Sequence, residues 1–163
     1  MNYTIPSIAL KPHNLVISGT TTTMLNYLEA NEADPTMKSY DLGVDNHATS
    51  LYYSPTLDLI FVGTKSRLVK IISYSSQGFK EVQQLSEIHN GLISSIVYFP
   101  ESQMLFCGSY DSTISTWLFK PATKSFEFQE KLEDLSDSVL SLSYIKILGK
   151  SEILVSLTEI GKF

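Results

Sequence analysis

Cysteine is nearly missing from this chain. Cys107 stands alone among 163 residues, so no internal disulfide can form. That is compatible with a reducing compartment, and a cytoplasmic location is the expectation that goes with it. Positive charge is short as well. The formal net charge is −5, which makes nucleic acid and anionic membrane surfaces poor partners. No run approaches the roughly 18–20 apolar residues of a spanning helix. Met1 to Leu15 lacks the basic start and continuous apolar core of a secretory signal. The Asn2-Tyr3-Thr4 sequon would matter only in a secreted chain. Helical periodicity is absent too, apart from one possible turn over Lys131 to Asp137, while β-branched and aromatic residues dominate elsewhere.

The usual chemical signatures are equally scarce. With no second cysteine and no histidine pair at ligand spacing, no metal site is expected. There is no G-x-S-x-G elbow. Gly149-Lys150-Ser151 resembles the tail of a phosphate-binding loop, but Tyr144 stands where that loop needs its first glycine. We therefore expect a hairpin turn there, no cofactor, and no enzyme activity. Cys107 lies on an apolar strand and reads as core rather than as a reactive thiol.

What is present is repetition. The stretch from Ile88 to Phe119 reads as three short strands, Leu92–Phe99, Met104–Ser109 and Thr113–Phe119. Pro100 closes the first, and Gly108, Ser109, Asp111 and Ser112 turn the chain after the second. Met104-Leu105-Phe106-Cys107 is apolar without alternation, so it wants cover on both faces. The same pattern recurs at other points. Ser50-Leu51-Tyr52-Tyr53-Ser54-Pro55 matches Ser95-Ile96-Val97-Tyr98-Phe99-Pro100 at an offset of 45, as Ile60-Phe61-Val62-Gly63-Thr64 matches Leu105-Phe106-Cys107-Gly108-Ser109. Ser7-Ile8-Ala9-Leu10-Lys11-Pro12 precedes them by a similar step, and Val139-Leu140-Ser141-Leu142-Ser143-Tyr144 follows. A period of about 40–45 residues with four short strands is the mark of propeller blades. Tyr52, Tyr53, Tyr98, Phe99 and Tyr144 recur in phase with the inner strands and are expected to pack between blades.

On these repeats the chain resembles the WD40-repeat β-propellers, most clearly in the Ile88–Phe119 unit. The fold class implied is all-β, a WD40-like propeller segment of four-stranded antiparallel blades in an incomplete ring. Blade 1 would cover 3–42, blade 2 47–85, blade 3 92–131, and a partial blade 4 139–163. Three blades and part of a fourth do not close a ring of the usual 4–8 blades. The expectation is a fragment or one segment of a longer chain, the end at Phe163 inside a strand favouring truncation. Open propeller ends would pair with missing blades or with another chain, and in the boldest version two copies complete one ring.

The resemblance also implies a structural tetrad pinning the blade: His89 before the innermost strand, Ser95 on it, Asp111 in the next turn and Trp117 on the third strand. Ile88 departs from the family's Gly-His pair, and Leu118 from its Trp-Asp pair. The second repeat keeps Ser50, with Val44, Ser66 and Ile72 at the other positions, and the last keeps Ser141. Ser95, His89 and Asp111 are also the residue types of a hydrolase triad. A mid-strand serine is a poor nucleophile, so a hydrogen-bond relay ending on the Trp117 indole is the reading carried forward.

Function then rests on surface. The resemblance implies a non-catalytic scaffold for other proteins or peptides. The alternative is a non-catalytic part of a larger multi-domain enzyme or structural assembly protein. The partner-binding rim would be built from loops entering the innermost strand and loops joining the second and third strands. Lys65, Arg67, Asn90 and Tyr110 are the candidates there, with Asp45 and His47 nearby.

Overall fold

The structure, a computed structural model, describes residues 5–30, 34–133, 135–147 and 151–159. Turn residues cut the chain into short strands that pair with their sequence neighbours. The first sheet holds β1 (Ser7–Leu10), β2 (Leu15–Ser18), β3 (Met24–Glu29) and β4 (Lys38–Asp41). The second holds β5 (Ala48–Ser54), β6 (Leu59–Thr64), β7 (Val69–Ser75) and β8 (Gly78–Leu85). The third holds β9 (Ile93–Phe99), β10 (Met104–Ser109), β11 (Ile114–Lys120) and β12 (Ser125–Leu132). Two further strands, β13 (Val139–Ile147) and β14 (Ser151–Thr158), form the fourth sheet among the described residues. Every pairing is antiparallel and joins consecutive strands.

The repeat is written into the backbone as well as the side chains. Asn14, Asp58 and Gln103 adopt positive φ in the first-to-second turns of their sheets. Arg67 and Ser112 do so in second-to-third turns, and Gly78 and Lys124 in third-to-fourth turns. Asn14 ends a single 3₁₀ turn over Lys11–His13. That turn ends the inner strand of the first sheet before Lys11. Pro12 fixes its own φ and offers no N–H to a ladder, so β1 stops at Leu10. The first residues assigned to blade 1, the sequon and Gly149-Lys150 lie outside the described residues. So do the last residues assigned to blade 4.

Three apolar clusters lie between successive sheets. Between the first and second are Leu10, Leu15, Ile17, Leu25, Ile60, Val62 and Ile72. Between the second and third, Phe61, Ile71 and Leu85 meet Tyr98, Leu105, Cys107 and Trp117. Val97, Phe99 and Ile114 meet Val139 and Leu142 beyond that. β10 shows why its sequence does not alternate. Leu105 and Cys107 face the second sheet, while Met104 and Phe106 pack toward the fourth. Tyr52, Tyr53, Tyr98, Phe99 and Tyr144 all belong to these inter-sheet clusters. Each large side chain so buried contributes about 1.5–3 kcal/mol relative to water.

Close approach of the sheets needs glycine at one recurring place. A Cβ on Gly63 would sit 2.7 Å from Ile93 Cγ2, and one on Gly108 would sit 2.6 Å from Val139 Cγ1. Both glycines lie where the first residue of the next sheet presses on the second strand. Hydroxyls finish the seam. Thr49 donates to the Ile93 carbonyl at 2.5 Å, and Ser94 donates to the Val139 carbonyl at 2.5 Å.

Candidate functional site: a buried relay beneath a loop rim

The relay begins in the turn between β10 and β11. Asp111 accepts from the Thr113 hydroxyl at 2.5 Å, the Thr113 N–H at 3.2 Å and the Asn90 N–H at 2.6 Å. Its own N–H donates to Ser109 Oγ at 3.1 Å. His89 Nδ1 lies 3.2 Å from Asp111 Oδ2 and 3.0 Å from Thr113 Oγ1. His89 Nε2 is 2.8 Å from Ser115 Oγ, and the Trp117 indole N–H donates to that oxygen at 2.9 Å. A carboxylate facing Nδ1 holds the proton on that nitrogen. The order of donation is therefore Trp117 to Ser115, Ser115 to His89, His89 to Asp111.

This corrects the expected quartet in one member. Ser95 is not in the relay. Its hydroxyl oxygen accepts from the Leu142 N–H at 3.0 Å, across the seam to the fourth sheet. The reason is strand pleat. Ser115 and Trp117 are two residues apart on β11 and so share a face, as do all i, i+2 pairs. Ser115 pairs with Cys107, which lies on the same face of the sheet toward the second sheet. Thr113 was also missed. Both were legible in principle, since Thr113-Ile114-Ser115-Thr116-Trp117 alternates with its odd-numbered members on one side.

Electrostatics fit a structural, neutral-histidine arrangement. Burial lowers the His89 pKa below its ordinary 6.5, against the raising influence of Asp111. Burial alone would raise Asp111, yet hydrogen bonds from Thr113 and Asn90, with His89 beside it, hold it below 3.8. Burial pushes the Cys107 thiol up to about 12, so it stays protonated and inert. Ser115 is fully buried, and a cavity of about 10 Å³ beside it, bordered by Arg67, Leu85 and Trp117, has room for about one water. No grouping of three His, Cys, Asp or Glu suited to a metal ion occurs among the described residues.

Above the relay the loops come together in pairs. The Tyr110 N–H donates to the Leu92 carbonyl at 3.1 Å, so Tyr110 and Asn90 flank Asp111. One repeat earlier the Lys65 N–H donates to the His47 carbonyl at 2.9 Å, and the Ser66 hydroxyl donates to the Asp45 carbonyl. Asp45, His47, Lys65 and Ser66 line a depression of about 290 Å³. Arg67 is exposed and borders the small cavity that His89 also lines. The structure thus brings Asp45, His47 and Lys65 into one group and Asn90 with Tyr110 into a second, with Arg67 in neither but at the small cavity that His89 lines.

No family model matches the chain, and no curated protein matches it in sequence. Solved structures do. The chain is similar to U3-55K at a TM-score of 0.69 and 14% identity, over 97% of this chain and 55% of that one. It is similar to a candidate 6-phosphogluconolactonase of Bacteroides uniformis at a TM-score of 0.77 and 12% identity, over 96% and 51%. The chain spans about half the length of either. At these identities the likeness speaks for the fold alone: an all-β, propeller-like stack of four-stranded antiparallel sheets, about half of a full propeller chain in extent.

Proposed function

We propose that this chain is a non-catalytic, WD40-like propeller segment whose loop rim binds other proteins or peptides inside the cell, without nucleic acid, membrane or cofactor. The observation that carries this reading is the relay itself. Its serine oxygen is fully buried and already accepts the Trp117 indole proton, so the Ser, His and Asp groups fasten loops rather than face substrate. What the relay fastens is the rim, because Asp111 fixes the Asn90 backbone directly.

A rim of this kind offers mixed charge and a tyrosine on a rigid support, features that suit protein recognition. The test is affinity capture with the wild-type chain and a K65E/R67E variant from the same cells. Loss of a reproducible set of proteins in the variant, retained by a K124E control, supports the rim. Identical captured sets would overturn it.

A second reading keeps the chain as the non-catalytic portion of a larger enzyme or structural assembly. The likeness to a candidate lactonase favours keeping it. Transcript sequence continuous with a catalytic domain would select that reading.

A further inference from the structure

We propose that Asn90 is a site of spontaneous covalent modification, converting through a cyclic imide to aspartate and isoaspartate, and that the change loosens the loops above the relay. Asn90-Gly91 is the one Asn-Gly pair in the sequence. The backbone nitrogen that follows an asparagine is the nucleophile of this reaction. Glycine, without a Cβ, leaves that nitrogen least hindered. The reaction needs no partner, so it is independent of what the rim binds.

Both reacting groups are free. Asn90 is exposed, and among the described residues its side-chain amide has no hydrogen-bond partner. Nor does the Gly91 N–H, which lies between β8 and β9 and outside both ladders. The other described asparagines are placed differently. Leu15 and Tyr27, which follow Asn14 and Asn26, lie in paired strands. The N–H of His47, which follows Asn46, donates to the Asp45 carbonyl at 3.1 Å.

The fold also excludes the residues that would slow the reaction. A Cβ on Gly91 would sit 2.6 Å from the Asp111 nitrogen and 3.0 Å from both Ser109 Oγ and the Tyr110 carbonyl carbon. Only glycine lets this loop press on the turn between β10 and β11. The rim therefore keeps its reactive pair as a condition of its own packing.

In the first step the deprotonated Gly91 nitrogen attacks Asn90 Cγ, the Cγ–Nδ2 bond breaks, and ammonia leaves with the proton. Water then opens the imide. Cleavage of the new N–Cγ bond yields aspartate. Cleavage of the original bond between the Asn90 carbonyl and the Gly91 nitrogen yields isoaspartate, whose main chain runs through Cβ and Cγ. The net change is amide and water to carboxylate and ammonium. Either product adds a carboxylate to the residue whose N–H Asp111 Oδ2 accepts at 2.6 Å. Isoaspartate also inserts a carbon into the chain just before Gly91, which is already pressed on the turn. The Asn90–Asp111 bond and the Tyr110–Leu92 bond lie on either side of that insertion and lose their common register.

The test holds the whole chain in mildly alkaline buffer and maps asparagine conversion by peptide mass spectrometry, with the free peptide EIHNGLIS, residues 87–94, treated alongside. We expect Asn90 to convert about tenfold faster than Asn14, Asn26 or Asn46, or more, equivalent to about 1.4 kcal/mol of barrier. An isoaspartyl methyltransferase methylates the aged chain and not aged N90S. In the isoaspartate fraction, separated by ion exchange, backbone hydrogen exchange quickens over 89–92 and 110–113 and stays unchanged in β5–β8. N90D, which carries the charge without the inserted carbon, shows a smaller change. Survival of Asn90 while the free peptide converts would overturn the site, because the folded loop would then hold the pair apart. Isoaspartate at position 90 with unaltered exchange in the rim would overturn the loosening.

Discussion

His89 has two ring nitrogens, and both are spoken for. Removing the ring leaves Ser115 without an acceptor for its proton and Asp111 with one donor fewer. His89→Ala and Ser115→Ala should each lower stability by about 1–3 kcal/mol, the cost of stranding buried polar partners. Urea melts of the two variants and their double would check this, and the double should cost less than the sum because one network is lost only once. Ser95→Ala acts elsewhere, leaving the Leu142 N–H unpaired at the seam, and should cost about 1 kcal/mol without coupling to His89. The relay also sets a pH response. A histidine with a lowered native pKa binds its proton in the unfolded chain first, so acid favours unfolding. Stability should fall as pH drops through 6.5 toward the lower native value, and fall again below 3.8, where unfolded carboxyls like that of Asp111 protonate first. The first loss is bounded by about 1.4 kcal/mol per pH unit. Urea midpoints between about pH 7.5 and about pH 5.5 should show it, and H89Q should flatten it.

Strands carry the next level of the argument. Gly63 and Gly108 occupy one position in successive sheets, where the neighbouring sheet leaves no room for a methyl group. Gly108→Ala should cost about 1–3 kcal/mol through overpacking. Calorimetry would register it, and an unchanged melting temperature would mean that Val139 yields freely. The second sheet meets the same geometry with different chemistry. Lys70 pairs with Val62, as Ser115 pairs with Cys107, and its buried ammonium donates to Glu81 at 2.5 Å. Glu81→Gln, which leaves the buried cation uncompensated, should cost more than Lys70→Met, which removes it. Comparing the two melts decides the point. Strand positions and inter-sheet aromatics were readable because turn residues and the 45-residue offset are local signals. The serine of the relay was not found that way. Family position favoured Ser95, while the face that Ser115 shares with Trp117 emerges only from the pleat. The nearness of Lys65 to His47 was expected from the shared rim, while the backbone bond that joins them was not, since it depends on how the two turns close.

Across the whole molecule the three interfaces are unequal. The second and third sheets share the cluster built on Phe61, Tyr98, Leu105 and Trp117. They are also clasped by Gln83, which donates to the Phe126 carbonyl and accepts the Phe126 N–H, each at 2.8 Å. The fourth sheet keeps Ile145, Ile147, Ile153 and Leu157 exposed. Hydrogen exchange should therefore separate the chain into two classes. Amides in β5–β12 should exchange only through global opening, and those in β13 and β14 through a smaller local one. Equal protection in both regions would show that the stack opens as one unit.

Hydrogen bonds that tie one sheet to the next link residues 28 to 51 positions apart, from Ser138 with Tyr110 to Glu101 with Glu152. Each such bond closes a loop of about one repeat or less. Assembly of these sheets never waits on distant parts of the sequence, so during synthesis each can settle on its predecessor as the ribosome delivers it.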